Sequence, residues 1–237
     1  MRISVVIPTY DEAGSIARVI DEIPRPLVDE ILVVDAGSMD GTAEIASSRG
    51  ARVIVERRRG YGRACLTGLA HVRNPDAVVF LDGDYSDRPA ELGRLVEPIL
   101  RGAADIVLGS RLNGGLRPGA MPWHAVFGNR LAAALIRWLY GVRLTDVGPF
   151  RAARYEVLRS LCLRELTYGW AVELITRGAT RGYRISEVPV SYHQRIGHSK
   201  ISGTIRGSIG AGICIIGGIL KNRFRPDAPA TEPGVAK

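Results

Sequence analysis

The chain of 237 residues carries 46% hydrophobic and 24% charged side chains, which excludes a disordered or fibrous protein and suits one domain better than two. Its net charge of +8 is uneven: residues 1–150 hold 18 Arg and Lys against 18 Asp and Glu, and 151–237 hold 14 against 6. The basic excess therefore suits an anionic acceptor, a diphosphate or an acidic membrane surface, while the lack of zinc-finger spacing, an RNP pattern or a helix-turn-helix argues against nucleic acid.

Ile3 to Ile7 is a β-branched run closed by Pro8, as expected of a buried parallel strand. Ile16, Val19, Ile20 and Ile23 then form one helical stripe, stopped by Pro24 and Pro26. The unit repeats as strand Ile31–Val34, N-cap Asp40, helix Thr42–Ser48, stop Gly50 and strand Val53–Val55. A helix over Tyr61–Val72, a strand Ala77–Leu81, a helix Pro89–Leu100 and a strand Ile106–Leu108 complete a doubly wound α/β half. The Gly/Pro-rich stretch Asn113–Pro122 predicts a mobile loop over the site. Helices over Trp123–Tyr140 and Tyr168–Arg181 flank a segment Thr145–Ala152, and Arg184–Val190 reads as another strand. The expected organisation is one domain over 1–222, with a doubly wound first half (1–112), a second half (113–202), an apolar helix (203–222) and a disordered tail (223–237).

Cys65, Cys162 and Cys214 are odd in number and widely spaced, so they predict neither a disulfide framework nor a cysteine metal site. No leader-like segment precedes the first strand, and the expected location is cytoplasmic.

Ligands of open α/β sheets bind beyond the carboxyl ends of the strands. That rule selects the loops 8–12, 35–38, 57–63 and 82–87, all polar or glycine-rich. Asp82-Gly83-Asp84 follows the apolar Val78-Val79-Phe80-Leu81. Two carboxylates one residue apart, with Gly83 letting the backbone approach a ligand, suit a hard cation such as Mg²⁺ or Mn²⁺ that neutralises a departing diphosphate. Arg57-Arg58-Arg59-Gly60-Tyr61-Gly62-Arg63 opens a helix, so Arg63, the glycines and the helix N–H groups are expected to face that diphosphate, against the alternative of a solvated basic loop.

Val5-Val6-Ile7-Pro8-Thr9-Tyr10-Asp11-Glu12, Val33-Val34-Asp35-Ala36-Gly37-Ser38 with Asp40-Gly41-Thr42, and Asp82-Gly83-Asp84 resemble, in order and spacing, the motifs of glycosyltransferase family 2. The resemblance implies a GT-A fold, inverting transfer and a metal–diphosphate donor complex with a UDP- or GDP-hexose. It places Pro8, Tyr10, Glu12 and Asp35 around the nucleoside and Asp82 and Asp84 on the metal. Ala36 stands where many members have a second Asp, which leaves Asp35 to serve alone.

The second half resembles the polyprenyl-phosphate (dolichyl-phosphate type) mannosyl- and glucosyltransferases through Gly109-Ser110-Arg111, Thr145-Asp146, Phe150-Arg151, Gly182-Tyr183, Glu187-Val188-Pro189-Val190, and Arg195 with Gly197, Ser199 and Lys200. By that resemblance Arg111, Arg151, Arg195, Ser199 and Lys200 handle donor and acceptor phosphates. Glu173 matches an acidic position on the acceptor-side helix. A hydroxyl acceptor needs a base such as Glu173 or Asp146, whereas an already anionic lipid phosphate needs none and leaves both acids to orient arginines. His193 and His198 flank Arg195, without being assigned to the metal.

Ile205–Leu220 is too short to cross a bilayer. It reads as a helix packed on the domain or as an interfacial one with Arg206, Lys221, Arg223 and Arg225 toward anionic headgroups, and its small residues permit a homodimer. The preferred expectation is an inverting hexosyltransferase acting on a polyprenyl phosphate. The alternatives are a transferase acting on a small hydroxyl acceptor such as a phosphoglycerate or a glycan, and a silent nucleotide-binding protein of the same fold. A dinucleotide oxidoreductase is disfavoured, because Pro8-Thr9-Tyr10 replaces the G-x-G-x-x-G turn.

Overall fold

The computed structural model describes residues 1–197 and 205–224, with the side chains of 205–211 aside. Its seven strands are β1 (Ile3–Thr9), β2 (Glu30–Asp35), β3 (Arg52–Val55), β4 (Ala77–Phe80), β5 (Ile106–Leu116), β6 (Arg151–Arg154) and β7 (Ile185–Tyr192). They form one sheet in the order β3-β2-β1-β4-β6-β5-β7. The first four pair in parallel, as the repeated strand–helix pattern predicts. β6 departs from that pattern: it runs antiparallel between β4 and β5. Its Arg-Ala-Ala-Arg sequence has no apolar alternation long enough to announce a strand, yet its two alanines fit a position covered on both faces.

Helices α1 (Ile16–Glu22), α2 (Thr42–Ser48) and α4 (Leu92–Leu100) accompany one apolar cluster, to which the sheet contributes Val5, Ile7, Val33, Val79 and Leu81. Helices α3 (Tyr61–His71), α5 (Trp123–Tyr140), α6 (Tyr155–Leu161), α7 (Trp170–Thr180) and α8 (Ile205–Phe224) accompany the other, built on Val6, Leu32, Val34, Val78 and Phe80. Successive residues of one strand feed opposite cores, which is why these strands read as continuous apolar runs. The predicted stripe of α1 is fully buried at Ile16, Val19 and Ile20. Asp40 caps α2 from one residue outside it, its Oδ1 accepting from the Thr42 N–H at 3.1 Å, while Gly41 holds the N-cap position itself.

The stretch 113–122 is not all loop, because β5 continues to Leu116 and pairs with β7 beyond an irregularity, Gly115 opposite Ser191 and Leu116 opposite Tyr192. A Cβ on Gly114 would lie 2.0 Å from the Val190 carbonyl oxygen, so glycine is what lets the two backbones close there. α8 docks through Ile219, fully buried, through its carbonyl, which accepts from the Tyr140 hydroxyl at 2.6 Å, and through Asn222, which donates to Thr176 Oγ1 at 2.8 Å. Among the described residues no helix is long and apolar enough to cross a membrane.

At the start of α3 the chain is pressed against the turn before α7. A Cβ on Gly62 would fall 2.2 Å from the Glu165 carbonyl oxygen and 2.8 Å from the Trp170 Cβ. Gly62→Ala is therefore expected to destabilise the domain by about 1–3 kcal/mol, read as a lower urea midpoint with an unchanged m-value.

Candidate active site

β4 delivers Asp82-Gly83-Asp84 at its carboxyl end. A Cβ on Gly83 would lie 2.8 Å from the Thr9 methyl carbon, so this loop packs tightly on the end of β1, and the Ser15 hydroxyl donates to the Gly83 carbonyl at 2.7 Å. Asp84 Oδ1 accepts from the Ser86 N–H at 2.9 Å and the Ser86 hydroxyl at 2.6 Å, which fixes the carboxylate. Tyr85 and, across the site, Asp11 hold left-handed backbone (φ 63° and 50°), uncommon for residues other than glycine. Burial, then the neighbouring Asp84 charge, pushes the Asp82 carboxyl up to about 7, against the opposing pull of Arg151, Arg195 and Arg111.

Three arginines converge on this pair. Arg111 is fixed by Asp146, with Nε to Oδ2 at 2.7 Å and Nη2 to Oδ1 at 2.8 Å. Asp146 also accepts the N–H groups of Arg111 and Val147. Both of its oxygens are thus engaged, and Asp146 holds the Arg111 guanidinium in place. Glu187 anchors that turn by accepting from the N–H groups of Thr145 and Asp146. Arg151, 2% exposed, donates through Nε to the Pro149 carbonyl at 2.9 Å and sits 5.5 Å above the Trp170 ring centre. Arg195 bridges two loops, with Nη2 3.2 Å from Asp84 Oδ2 and 3.2 Å from Glu12 Oε1.

These groups floor a cavity of about 310 Å³. Tyr61, Asp82, Asp84, Arg111, Arg151, Tyr192 and Arg195 supply its polar end. Ala120, Met121 and Pro122 just before α5, Ala125 and Gly128 within it, and Ile215 and Ile216 of α8 supply an apolar wall. On three lining residues a buried donor atom has no partner among the described residues: the Tyr61 hydroxyl, Arg151 Nη1 and Arg195 Nε. Burial and the Asp82 charge hold the Tyr61 hydroxyl well above its usual range, so it keeps its proton. Buried donors without acceptors are costly, and all three belong to residues that line the cavity.

The residues expected around the nucleoside do not line this cavity. Pro8 closes the apolar run of β1, and Tyr10 lies just past that strand's end, carrying the Arg59 guanidinium 4.4 Å above its ring centre. Glu12 pairs with the cavity-lining Arg195. Asp35, 1% exposed, accepts from the N–H groups of Gly37 (3.0 Å) and Ser38 (2.8 Å) and from the hydroxyls of Ser38 and Thr9. It shapes the 36–38 turn and leaves little acceptor capacity for a base.

The loop 57–63 also differs from its expectation. The N–H groups of Gly62 and Arg63 donate to the carbonyls of Thr167 and Leu166, so they are not available to a diphosphate. Arg58 pairs with Glu56 at the surface. Arg63 is half-buried with its Nε unpartnered among the described residues.

Glu173, 5% exposed, accepts through Oε2 from the N–H groups of Arg164 (2.9 Å) and Glu165 (2.7 Å), and its Oε1 pairs with Arg177 Nε at 2.9 Å. Glu173 lies outside the cavity lining. It organises the turn that receives α3, which is a different task from proton abstraction. His193 Nδ1 accepts from Arg88 at 2.9 Å. Ser199, Lys200 and His198 lie outside the described residues. Asp87 closes the loop 82–87 that the sequence selects, without a role assigned to it there. It is fully buried, neither carboxylate oxygen has a partner among the described residues, and burial holds it well above the usual carboxylate range.

A divalent cation fits the donor set in part. Asp82 and Asp84 offer hard oxygens whose mutual repulsion a cation would relieve. Among the described residues no group of three or more His, Cys, Asp or Glu is arranged to hold a metal. The protein would thus contribute two carboxylates and leave the remaining positions to ligand oxygens and water.

With this geometry in view, comparison with known proteins is informative. Residues 4–162 match the model of the family described as glycosyl transferase family 2. A dolichyl-phosphate hexose transferase of Haloferax volcanii is 36% identical over 228 residues, covering 94% of this chain and 96% of that one. An undecaprenyl-phosphate mannosyltransferase of Micrococcus luteus is 35% identical over 224 residues, covering 87% and 90%. Among solved structures, glucosyl-3-phosphoglycerate synthase from Mycobacterium tuberculosis, in complex with Mn²⁺, UDP-glucose and phosphoglyceric acid, superposes with a TM-score of 0.78 at 28% identity, over 95% of this chain and 81% of that one. The sheet has the mixed α/β layout of that GT-A neighbour, and the chain belongs to glycosyl transferase family 2.

Proposed function

We propose that the protein is an inverting, metal-dependent hexosyltransferase that moves a sugar from a UDP- or GDP-hexose to a polyprenyl phosphate. The observation that carries this reading is the cavity itself: three unpartnered donors on Tyr61, Arg151 and Arg195 at one end and an apolar wall from α5 and α8 at the other. A phosphate monoester with a hydrocarbon tail matches both ends. The names of the dolichyl- and undecaprenyl-phosphate relatives support the same acceptor class.

Asp82 and Asp84 would hold Mg²⁺ or Mn²⁺, which supplies charge neutralisation for the departing nucleoside diphosphate when bound. The solved neighbour with Mn²⁺ and UDP-glucose supports that role. Arg111, set by Asp146, and Arg151 present guanidinium groups to the phosphates. An acceptor phosphate oxygen attacks the anomeric carbon, and the bond to the diphosphate oxygen breaks with its electron pair on the leaving group. A phosphate acceptor has no hydroxyl proton to lose, in keeping with Asp146 and Glu173 both being occupied elsewhere. Arg195 links the Glu12 loop to Asp84 and, with Ser199 and Lys200, serves the acceptor phosphate. The basic end of α8, with Lys221 and Arg223, suits peripheral contact with the cytoplasmic face of a membrane, and its glycines suit a homodimer. The second reading, a phosphoglycerate acceptor, is favoured by the likeness to glucosyl-3-phosphoglycerate synthase, but such an acceptor has no use for the apolar wall.

Radiolabelled UDP- and GDP-hexoses, supplied with Mn²⁺ and a short-chain prenyl phosphate, are expected to yield a labelled prenyl-phosphate sugar, and EDTA should abolish transfer. Inertness toward all of them would sink the proposal. In the same assay Glu173→Gln is expected to lower the melting temperature while reducing kcat less than about tenfold. A general base would lose at least the 10²-fold typical of such catalysis.

Asp82 also sets a pH dependence. Its folded-state carboxyl sits at about 7 against an ordinary value of 3.8, so in metal-free protein it favours folding at low pH. That contribution is lost as pH rises from about 4 through 7. Asp82→Asn should therefore gain in melting temperature over the wild type across this window in EDTA, with a constant difference above it.

A further inference from the structure

α5 carries a surface that neither the core nor the cavity uses. Trp123 and Trp138 are 81% and 80% exposed, Phe127 is 64% exposed, and Leu131 is partly exposed beside them. At about 100° per residue these four positions fall within one arc of about 80°. Arg130 and Arg137, both exposed, border the arc on one side. The buried side of the helix is a different one, formed by Ala132, Ala133 and Ile136. On α8, which packs beside α5 through the Tyr140–Ile219 contact, Ile213 and Phe224 are exposed as well. Single exposed apolar residues need no explanation, but two tryptophans and a phenylalanine aligned on one helix do.

The charge around this stripe is one-sided. The sequences of α5 and α8 contain Arg130, Arg137, Arg206, Lys221 and Arg223 and no Asp or Glu. Pairing two copies through this face would bring like charges together without an acidic partner on either helix. An anionic lipid surface complements it, with tryptophan at the headgroup level and arginine toward the phosphates. The stripe also borders the cavity: His124, Ala125, Gly128 and Asn129, on the adjoining face of α5, line it, as do Gly212, Ile215 and Ile216 of α8 beside Ile213.

We infer that the α5 stripe of Trp123, Phe127, Leu131 and Trp138 lies in the interfacial layer of an anionic bilayer, with the cavity mouth between α5 and α8 turned toward the lipid. This inference rests on the acceptor proposed above and deepens it: a lipid phosphate reaches Tyr61 and Arg151 from the membrane plane without its tail crossing water. The aromatic stripe of α5 then supplies depth, and the basic end of α8 supplies attraction.

The full chain is tested by co-sedimentation with vesicles of 70:30 phosphatidylcholine and phosphatidylglycerol and with pure phosphatidylcholine. The wild type is expected to bind the anionic vesicles, with a blue shift of tryptophan emission. The triple variant W123S/F127S/W138S should bind at least tenfold more weakly. These side chains are exposed, so its melting temperature should match the wild type. Its turnover of a short, water-soluble prenyl phosphate should also be unchanged, while turnover of a long-chain acceptor embedded in vesicles falls. Wild-type protein that ignores the vesicles, or a triple variant that binds them equally, would overturn the inference. So would sedimentation velocity showing a wild-type dimer that the triple variant converts to monomer, since the stripe would then be a subunit interface. Vesicle binding lost in the triple variant without transfer to any prenyl phosphate would leave the surface standing and reject the acceptor instead.

Discussion

Two carboxylates one residue apart, at the buried end of a central strand, cannot both ionise without cations close by, and the active end of this molecule is arranged around that constraint. Asp82 is pushed up to about 7 even with Arg111, Arg151 and Arg195 pulling the other way. Each arginine is in turn held by something else. Asp146 fixes Arg111 and is oriented through its turn by Glu187. Pro149 and Trp170 fix Arg151. Glu12 shares Arg195 with Asp84. Preorganised charge of this kind is what transfer from a diphosphate donor requires, because the stabilising groups need not move as charge develops on the leaving group.

The same arrangement engages acids that the sequence offers either as bases or as partners of arginines. Asp146 and Glu173 are acidic, buried and close to the site along the chain, yet each is held by an arginine and by backbone N–H groups. The turn that Glu173 organises receives the first N–H groups of α3 through Leu166 and Thr167. That contact carries Tyr61 to the cavity and occupies the Gly62 and Arg63 N–H groups.

Much of the fold was legible because apolar periodicity was strong where burial is two-sided. β1, β2 and β4 are unbroken apolar runs, and the stripe of α1 ends at a proline. The carboxylate pair was legible because its position after β4 gave it a place in the sheet. β6 was not, since two alanines between two arginines carry no periodic signal and only the neighbouring strands make them a strand. The extension of β5 was hidden by glycines that read as loop but serve a close backbone approach, as at Gly114. Engagement of side chains was the least legible. Sequence can place Asp35, Asp146 and Glu173 near a site but cannot tell whether their oxygens are already taken. Asp87 fell within the selected loop 82–87 without a role, because sequence does not show its burial, and the outward stripe of α5 was masked by its being part of an ordinary-looking amphipathic helix.

The central claim is that the cavity seats a phosphate attached to a hydrocarbon. The most direct measurement is calorimetric titration of the protein, loaded with Mn²⁺ and UDP or GDP, with a short-chain prenyl monophosphate and separately with 3-phosphoglycerate. The account predicts that the prenyl phosphate binds at least tenfold more tightly, with the negative heat-capacity change of apolar burial, and that Arg151→Ala weakens it. Tighter binding of 3-phosphoglycerate, or prenyl phosphate binding with no heat-capacity change, would contradict it.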